Sequence, residues 1–464
     1  MPVHTSPVAI DRSLLLGPAR LSVQVRCGGG SMDELARLLR AAGPERIVLV
    51  TDPALPRAHG ARVLRLLDAA APTGVLWPYL SGPDARGAGP LVAADGALVV
   101  ALGGTRVMAA SGRVRYGDGG RPPLVRLPTT LRAMSDTALS VAGGPGRTVP
   151  APAVLVRAQL EFLRTLSPGA VRAGVVTVVR DVLAAVPASA GQVGFRLRPD
   201  GRYDPATLAS FIALSVEARA VLGCHDPGGR GPAAAFRYGE QVARAVPGPG
   251  AGGIPYGDAL ALGLRVAARA ARLSGLMDAA DEAAHAELLD RAGAVRTLPS
   301  GIRPYEVLDR LLRGRESAPM VLLRGLGEPY AHHGRLLAPV GREVLEAALG
   351  SVAGVADVTA VAPMAPVTAV APAAPAAPVA SVAAQRIPGP GPSRGGAVGV
   401  APGASLGDAP TASPGDPLGA SLDEALGTSP QKAPAASLDD PPGASPGASP
   451  VASSAPSPAL IPRT

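Results

Sequence analysis

Two apolar runs constrain this chain more than any other feature. Residues 46–52 read RIVLVTD and residues 96–104 read GALVVALGG. Neither alternates polar with apolar residues, so both suit strands buried on both faces, which requires helices on either side of the sheet. Ahead of the first run, Ser31 and Glu34 stand at capping-box spacing in SMDELARLLRAAGPE. Leu35, Leu38 and Leu39 form one apolar face, and Gly43 with Pro44 ends the helix. The second run closes on Gly103 and Gly104 before a helical stretch. α/β folds bring backbone to dinucleotide phosphates at such a turn, although strand ends also carry glycine for a turn alone.

From about residue 151 the pattern turns helical. Asp204 and Pro205 fit the cap and first position of a helix through ATLASFIALSVEARAVL. Asp258 begins a stretch dense in small residues, and MDAADEAAHAELLDRAG supplies another helix. The expected fold class is an α/β nucleotide-binding domain over residues 1–150 followed by an all-α domain over 151–353, with a ligand cleft between them. Residues 354–464 change character: Ala, Pro, Gly, Ser and Val dominate, with near-repeats such as PGASPGASP. A segment that buries so little cannot offset its ordering entropy, so a disordered tail is expected.

Composition excludes several function classes. The formal charge is +8, but its arginines are scattered and no basic run interleaves with aromatics, so no nucleic-acid partner is expected. The only lysine is Lys432, which leaves the folded part without Schiff-base or amine-base chemistry. Cys27 and Cys224 give neither a disulfide framework nor metal-ligand spacing. The N-terminus lacks the pattern of a signal peptide, and no uninterrupted apolar run approaches eighteen residues. A cytoplasmic protein without a membrane partner is expected.

Seven segments then follow one another in an order and spacing that resemble a known family: VVALGGTRVMAASG, LVRLPTTLRAMSDTALSV, LRTLSPGAVRAGVVTVVRD, RLRPDGRYDPATL, AFRYGEQVARAV, PYGDALALGL and APMVLL. Over about residues 20–350 the chain resembles the 2-deoxy-scyllo-inosose synthases, sugar-phosphate cyclases of the 3-dehydroquinate synthase superfamily. The Ala-Met-x-Asp variant ending at Asp136 resembles that branch in particular. The resemblance implies a dehydroquinate synthase-like fold and NAD-dependent carbocycle formation from D-glucose 6-phosphate with phosphate elimination. It also implies zinc or cobalt as a Lewis acid and a place in making 2-deoxystreptamine aminoglycoside antibiotics.

Carried over position by position, the resemblance gives two different pictures. Asp52, Gly103, Gly104, Thr129, Thr130 and Asp136 match cofactor-binding positions, while Thr105 and Ala109 replace a glycine and an amide or acid. The three metal-ligand positions, a Glu and two His in the family, hold Thr177, Glu240 and Tyr256. Acid–base positions hold Ala142, Arg237 and Arg244, and Arg180 replaces a lysine where it could hold phosphate. Arginine keeps its proton to a pKa above about 12 and is no general base near neutrality. Three readings stay open: a working cyclase, a catalytically inactive homologue that pairs with or regulates an active one, and a chain without function. A homodimer is the family's usual assembly.

Overall fold

The computed structural model describes residues 7–354 apart from 17–18, 53–54, 56, 71–74, 77–91, 141–152, 224–225, 227–228 and 230. The expected disordered tail, Ala142, Cys224 and Lys432 lie outside the described residues.

The apolar runs become central strands. A seven-stranded sheet is built from β1 (Val8–Leu16), β2 (Ala19–Cys27), β3 (Arg46–Thr51), β4 (Val75–Leu76), β6 (Ala97–Gly103), β8 (Leu124–Pro128) and β9 (Leu155–Gln159). Its order is β1-β2-β9-β8-β6-β3-β4. A short parallel pair, β5 (Val92–Ala93) with β7 (Arg115–Tyr116), stands apart from it. The β1–β2 pair is antiparallel, and every other pairing in the large sheet is parallel. All residues of β6, β8 and β9 are buried, as double coverage by helices demands. β9 comes from beyond residue 150, so the sheet reaches into the stretch expected to be helical.

Helices α1 (Ser31–Ala41), α2 (Arg57–Asp68) and α3 (Thr105–Ser111) connect the parallel strands. Beyond the sheet follow α4 (Pro168–Ala184), α5 (Ala190–Arg196), α6 (Pro205–Gly223), α7 (Glu240–Ala245), α8 (Tyr256–Leu273), α9 (Ala279–Arg291), α10 (Pro304–Leu312) and α11 (Arg342–Gly350). This part also carries an antiparallel pair, β10 (Ser317–Val321) with β11 (Leu337–Gly341). α6 is long and apolar enough to cross a membrane by length and composition, but half of it is buried inside the fold.

Caps follow the sequence at some helices and not at others. Ser167 accepts from the Ala170 amide at 3.2 Å at the start of α4, and Asp204 accepts from the Thr207 amide at 2.8 Å at the start of α6. The capping box expected at α1 does not form, because Gly30 takes the cap position. Ser31 Oγ instead donates to the Gly28 carbonyl at 2.9 Å, and Glu34 accepts from Arg26 and Arg157. Two buried arginines outcompete a local backbone contact for that carboxylate.

Small residues set how closely the helices cross. Gly257 lies where a Cβ would overlap Ala173, so α8 meets α4 backbone to backbone. Gly239, at φ 73°, introduces α7, and a Cβ there would come within 2.8 Å of the Leu264 amide nitrogen. The left-handed backbone and the contact together require glycine. These crossings set the start of α7 against the middle of α8 and the start of α8 against α4.

Candidate functional site

Three groups expected to meet a dinucleotide lie at the carboxyl ends of three neighbouring parallel strands. Asp52 follows β3, Gly103 and Gly104 close β6, and Thr129 and Thr130 follow β8. The Thr129 amide donates to the Gly103 carbonyl at 2.9 Å, which ties the two turns together. The absent side chain of Gly104 faces Thr130 Cγ2 at 3.4 Å. Thr130 Oγ1 accepts from the Ala133 amide at 3.2 Å. That hydroxyl therefore caps the π-helical turn Ala133–Thr137 that carries Asp136. Asp52 accepts from Arg106 at 2.8 Å, and Ala109 is exposed on α3. Gly103 is buried, with Val107 packed where a side chain would stand, and Gly104 is half-buried.

Behind this edge Asp136 sits in a closed ring of charges. Arg219 donates to Asp136 Oδ1 at 2.7 Å and to Asp181 Oδ2 at 2.8 Å. Arg180 donates to Asp181 Oδ1 at 2.7 Å and to Asp136 Oδ1 at 3.3 Å. Asp181 is wholly buried, and Arg180 and Arg219 nearly so. Burial alone would raise the Asp136 pKa, but Arg180, Arg219 and Arg132 outweigh it and hold the carboxyl well below the usual range. Burial opposes the charge on Arg180, and Asp136 and Asp181 more than restore it. Arg180, expected to hold phosphate, has its guanidinium committed to these two carboxylates.

The expected metal-ligand positions do come to the same region, but not as a metal site. Glu240 Oε1 accepts from Arg244 at 2.7 Å, and Arg237 lies 3.6 Å from Oε2. Tyr256 carries the Arg132 guanidinium 3.6 Å above its ring centre. Burial, then Glu240, push the Tyr256 hydroxyl up to about 12. Thr177 is wholly buried, and its hydroxyl has no hydrogen-bond partner among the described residues. A zinc or cobalt ion requires lone pairs from imidazole, thiolate or free carboxylate. Here the one carboxylate is shared by two guanidiniums, and a third guanidinium lies over the phenol. Among the described residues no group of three His, Cys, Asp or Glu could hold a metal ion. The residues present do not fit the metal.

Of the histidines, His332 and His333 meet ring to ring at 4.3 Å in a turn remote in sequence from these positions. His285 is buried on α9, its Nδ1 donating to the Asp281 carbonyl at 2.7 Å. Sequence reading missed Arg132, Asp181 and Arg219. Each left a signal: Arg132 interrupts an apolar stretch between Leu131 and Ala133, Asp181 adjoins a motif arginine, and Arg219 is a charge within the most apolar helix.

No family model matches the chain. The 2-deoxy-scyllo-inosose synthase of Streptomyces kanamyceticus is 31% identical over 354 residues, spanning 71% of this chain and 91% of that protein. That of Streptoalloteichus tenebrarius is 32% identical over 338 residues, spanning 69% and 82%. Among solved structures, a 2-deoxy-scyllo-inosose synthase complexed with carbaglucose-6-phosphate, NAD+ and Co2+ superposes with a TM-score of 0.64 at 22% identity, covering 73% of this chain and 99% of that one. A 2-epi-5-epi-valiolone synthase from Streptomyces hygroscopicus with NAD+ and Zn2+ bound gives 0.55 at 18% identity, covering 74% and 99%. The dehydroquinate synthase-like fold expected from sequence is therefore the fold observed.

Proposed function

Because the chain belongs to the family of the 2-deoxy-scyllo-inosose synthases, we propose that it is a cytoplasmic member whose cyclase centre no longer supports the metal-dependent reaction. In this reading it serves aminoglycoside biosynthesis as partner or regulator of an active cyclase. The observation that carries the proposal is the pairing of Glu240 with Arg237 and Arg244 beside Tyr256 stacked under Arg132.

Proton chemistry points the same way. A general base or acid works best with a pKa near the operating pH. Asp136 is held too acidic, Arg180 too basic, and Tyr256, its hydroxyl pushed up to about 12, stays protonated near neutral pH. Guanidiniums such as those of Arg237 and Arg244 are not general bases near neutrality. The carboxylate of Glu240 accepts from one guanidinium and faces another. The groups gathered here bind and neutralise one another instead of exchanging protons.

The dinucleotide edge supports a second reading, in which a working cyclase retains NAD and acts on D-glucose 6-phosphate. Asp52 would face the adenine ribose, the Gly103–Gly104 backbone the pyrophosphate, and Thr129 and Thr130 the turn beside it. When bound, NAD supplies a hydride acceptor. Retention of NAD is measured separately from catalysis, although Arg132, two residues beyond Thr130, lies over Tyr256.

The test is to express the chain with an active 2-deoxy-scyllo-inosose synthase from the same source. Co-purification, or a changed rate of that synthase on mixing, is expected. If the two neither associate nor alter each other's rate, the partner role fails.

A further inference from the structure

A groove that uses none of the residues of the candidate centre lies where β1, α5 and α6 meet. Ile10, Val193, Phe211 and Leu214 give it an apolar floor, Arg196 and Glu217 stand at its sides, and its volume is about 320 Å³. That is near the lower limit for a small-ligand cleft, so the groove takes a few side chains and not a folded partner. Phe195, between two lining residues on α5, is 83% exposed and extends the apolar surface to the rim.

Charge around the groove is positive. Glu217 is paired with Arg12 at 3.3 Å. Arg196 donates to the Ser210 hydroxyl at 3.0 Å and, like the exposed Arg198 and Arg202, makes no ion pair among the described residues. Tyr203 holds this basic turn against the groove: its hydroxyl donates to the Arg198 carbonyl at 3.0 Å, and its ring meets that of Phe211 at 5.5 Å. Asp200, the carboxylate of the turn, accepts from the Arg202 amide at 3.0 Å.

The chain itself carries a complementary sequence. Residues 401–448 repeat with a period of sixteen, as APGASLGDAPTASPGD, PLGASLDEALGTSPQK and APAASLDDPPGASPGA. Each unit keeps Ala-Ser-Leu with a carboxylate two residues after the leucine, at Asp408, Glu424 and Asp440. Residues 401–440 hold six carboxylates and one cation, Lys432, whereas the whole chain stands at +8. Each motif therefore offers one aliphatic anchor with negative charge beside it. About 50 residues separate Gly354 from Ala404. A flexible chain of that length spans about 40 Å, against a radius of gyration of about 20 Å for a folded part of this size. The motifs can therefore reach the groove.

We propose that this groove is a docking site for the chain's own Ala-Ser-Leu motifs at 404–408 and 420–424, taken one at a time. The leucine lies on the apolar floor and the carboxylate lies among Arg196, Arg198 and Arg202. A tether holds such a motif at an effective concentration of about 1 mM, so an affinity too weak for a free peptide suffices here. The docking holds whether or not the cyclase centre reacts.

Thiol labelling of the full chain tests it. Gln192→Cys places a thiol at the groove, and its alkylation rate is read by mass spectrometry of the labelled peptide. The rate is expected to be lower by about twofold or more with the native tail than with Leu406→Ser, Leu422→Ser and Leu438→Ser combined. Those three substitutions lie beyond residue 354 and leave the described fold untouched. In about 1 M NaCl, where the Debye length is about 3 Å, the native-tail rate should rise toward that of the variant. Glu346→Cys, exposed on α11 and not among the lining residues, should label equally with either tail. Equal rates at residue 192 with the two tails overturn the proposal. A slowing that grows with protein concentration also overturns it and assigns the groove to a second copy of the chain.

Discussion

The residues that decide this protein's chemistry are arginines. A chain whose only lysine is Lys432 places guanidiniums even where burial is complete, as at Arg126 and Arg157. Arg126 illustrates the cost. Burial lowers its pKa to about 10, and its contacts are the Ala138 and Ser140 carbonyls and the Ser111 hydroxyl. At the candidate centre the same residue type pairs off every carboxylate. Asp136→Asn would leave Arg180 and Arg219 under-compensated, and a loss of about 3–5 kcal/mol in denaturant unfolding at neutral pH is expected. The pH dependence follows from the direction of the Asp136 shift. A carboxyl with a depressed folded pKa contributes stability above its unfolded value of about 4, and that contribution fades as pH falls toward the folded value. Denaturation midpoints measured between pH 7 and pH 3 should therefore fall for the native chain and fall less for Asp136→Asn. Asp52, Gly103, Gly104, Thr129, Thr130 and the replaced ligand positions were legible as positions, because motif spacing survives substitution. Their partners were not, since Arg219 reaches Asp136 across 83 residues of sequence.

At the scale of elements, local chemistry was a good guide only where nothing remote competed. Ser167 and Asp204 cap their helices as their side chains suggest, while Ser31 and Glu34 are diverted into a buried network with Arg157 and Gln159. Ser167→Ala should cost α4 about 1 kcal/mol, the usual value of a lost cap, in equilibrium unfolding. The α7–α8 crossing is less tolerant. Gly239→Ala adds a methyl group against the Leu264 amide in a left-handed backbone, and a loss of about 1–3 kcal/mol is expected in the same assay. β3 and β6 announced themselves through apolar runs, whereas β8 and β9 did not, each holding a buried arginine, Arg126 and Arg157. The β1–β2 hairpin did not, because Arg12, Arg20 and Arg26 break its pattern, and Arg26 is then drawn inward by Asp11 and Glu34.

For the whole molecule, sequence periodicity indicated an α/β sheet followed by helices, and the order of motifs indicated which α/β architecture. Periodicity located β3 and β6 but not the remaining strands of the sheet, among them β9, which lies in the stretch expected to be helical. In the proposed second reading the carboxyl edge of β3, β6 and β8 is where a dinucleotide would bind, beside the Asp52–Arg106 pair. At the positions the resemblance assigned to metal ligands stand the buried Thr177 hydroxyl, Glu240 between Arg237 and Arg244, and Tyr256 under Arg132. In the proposed reading the chain keeps the family's shape without the family's reaction. Phosphate release from D-glucose 6-phosphate, measured with NAD+ and Co2+ against a metal-free control, tests that account most directly. The account predicts no release above the control; cobalt-dependent release of phosphate would contradict it.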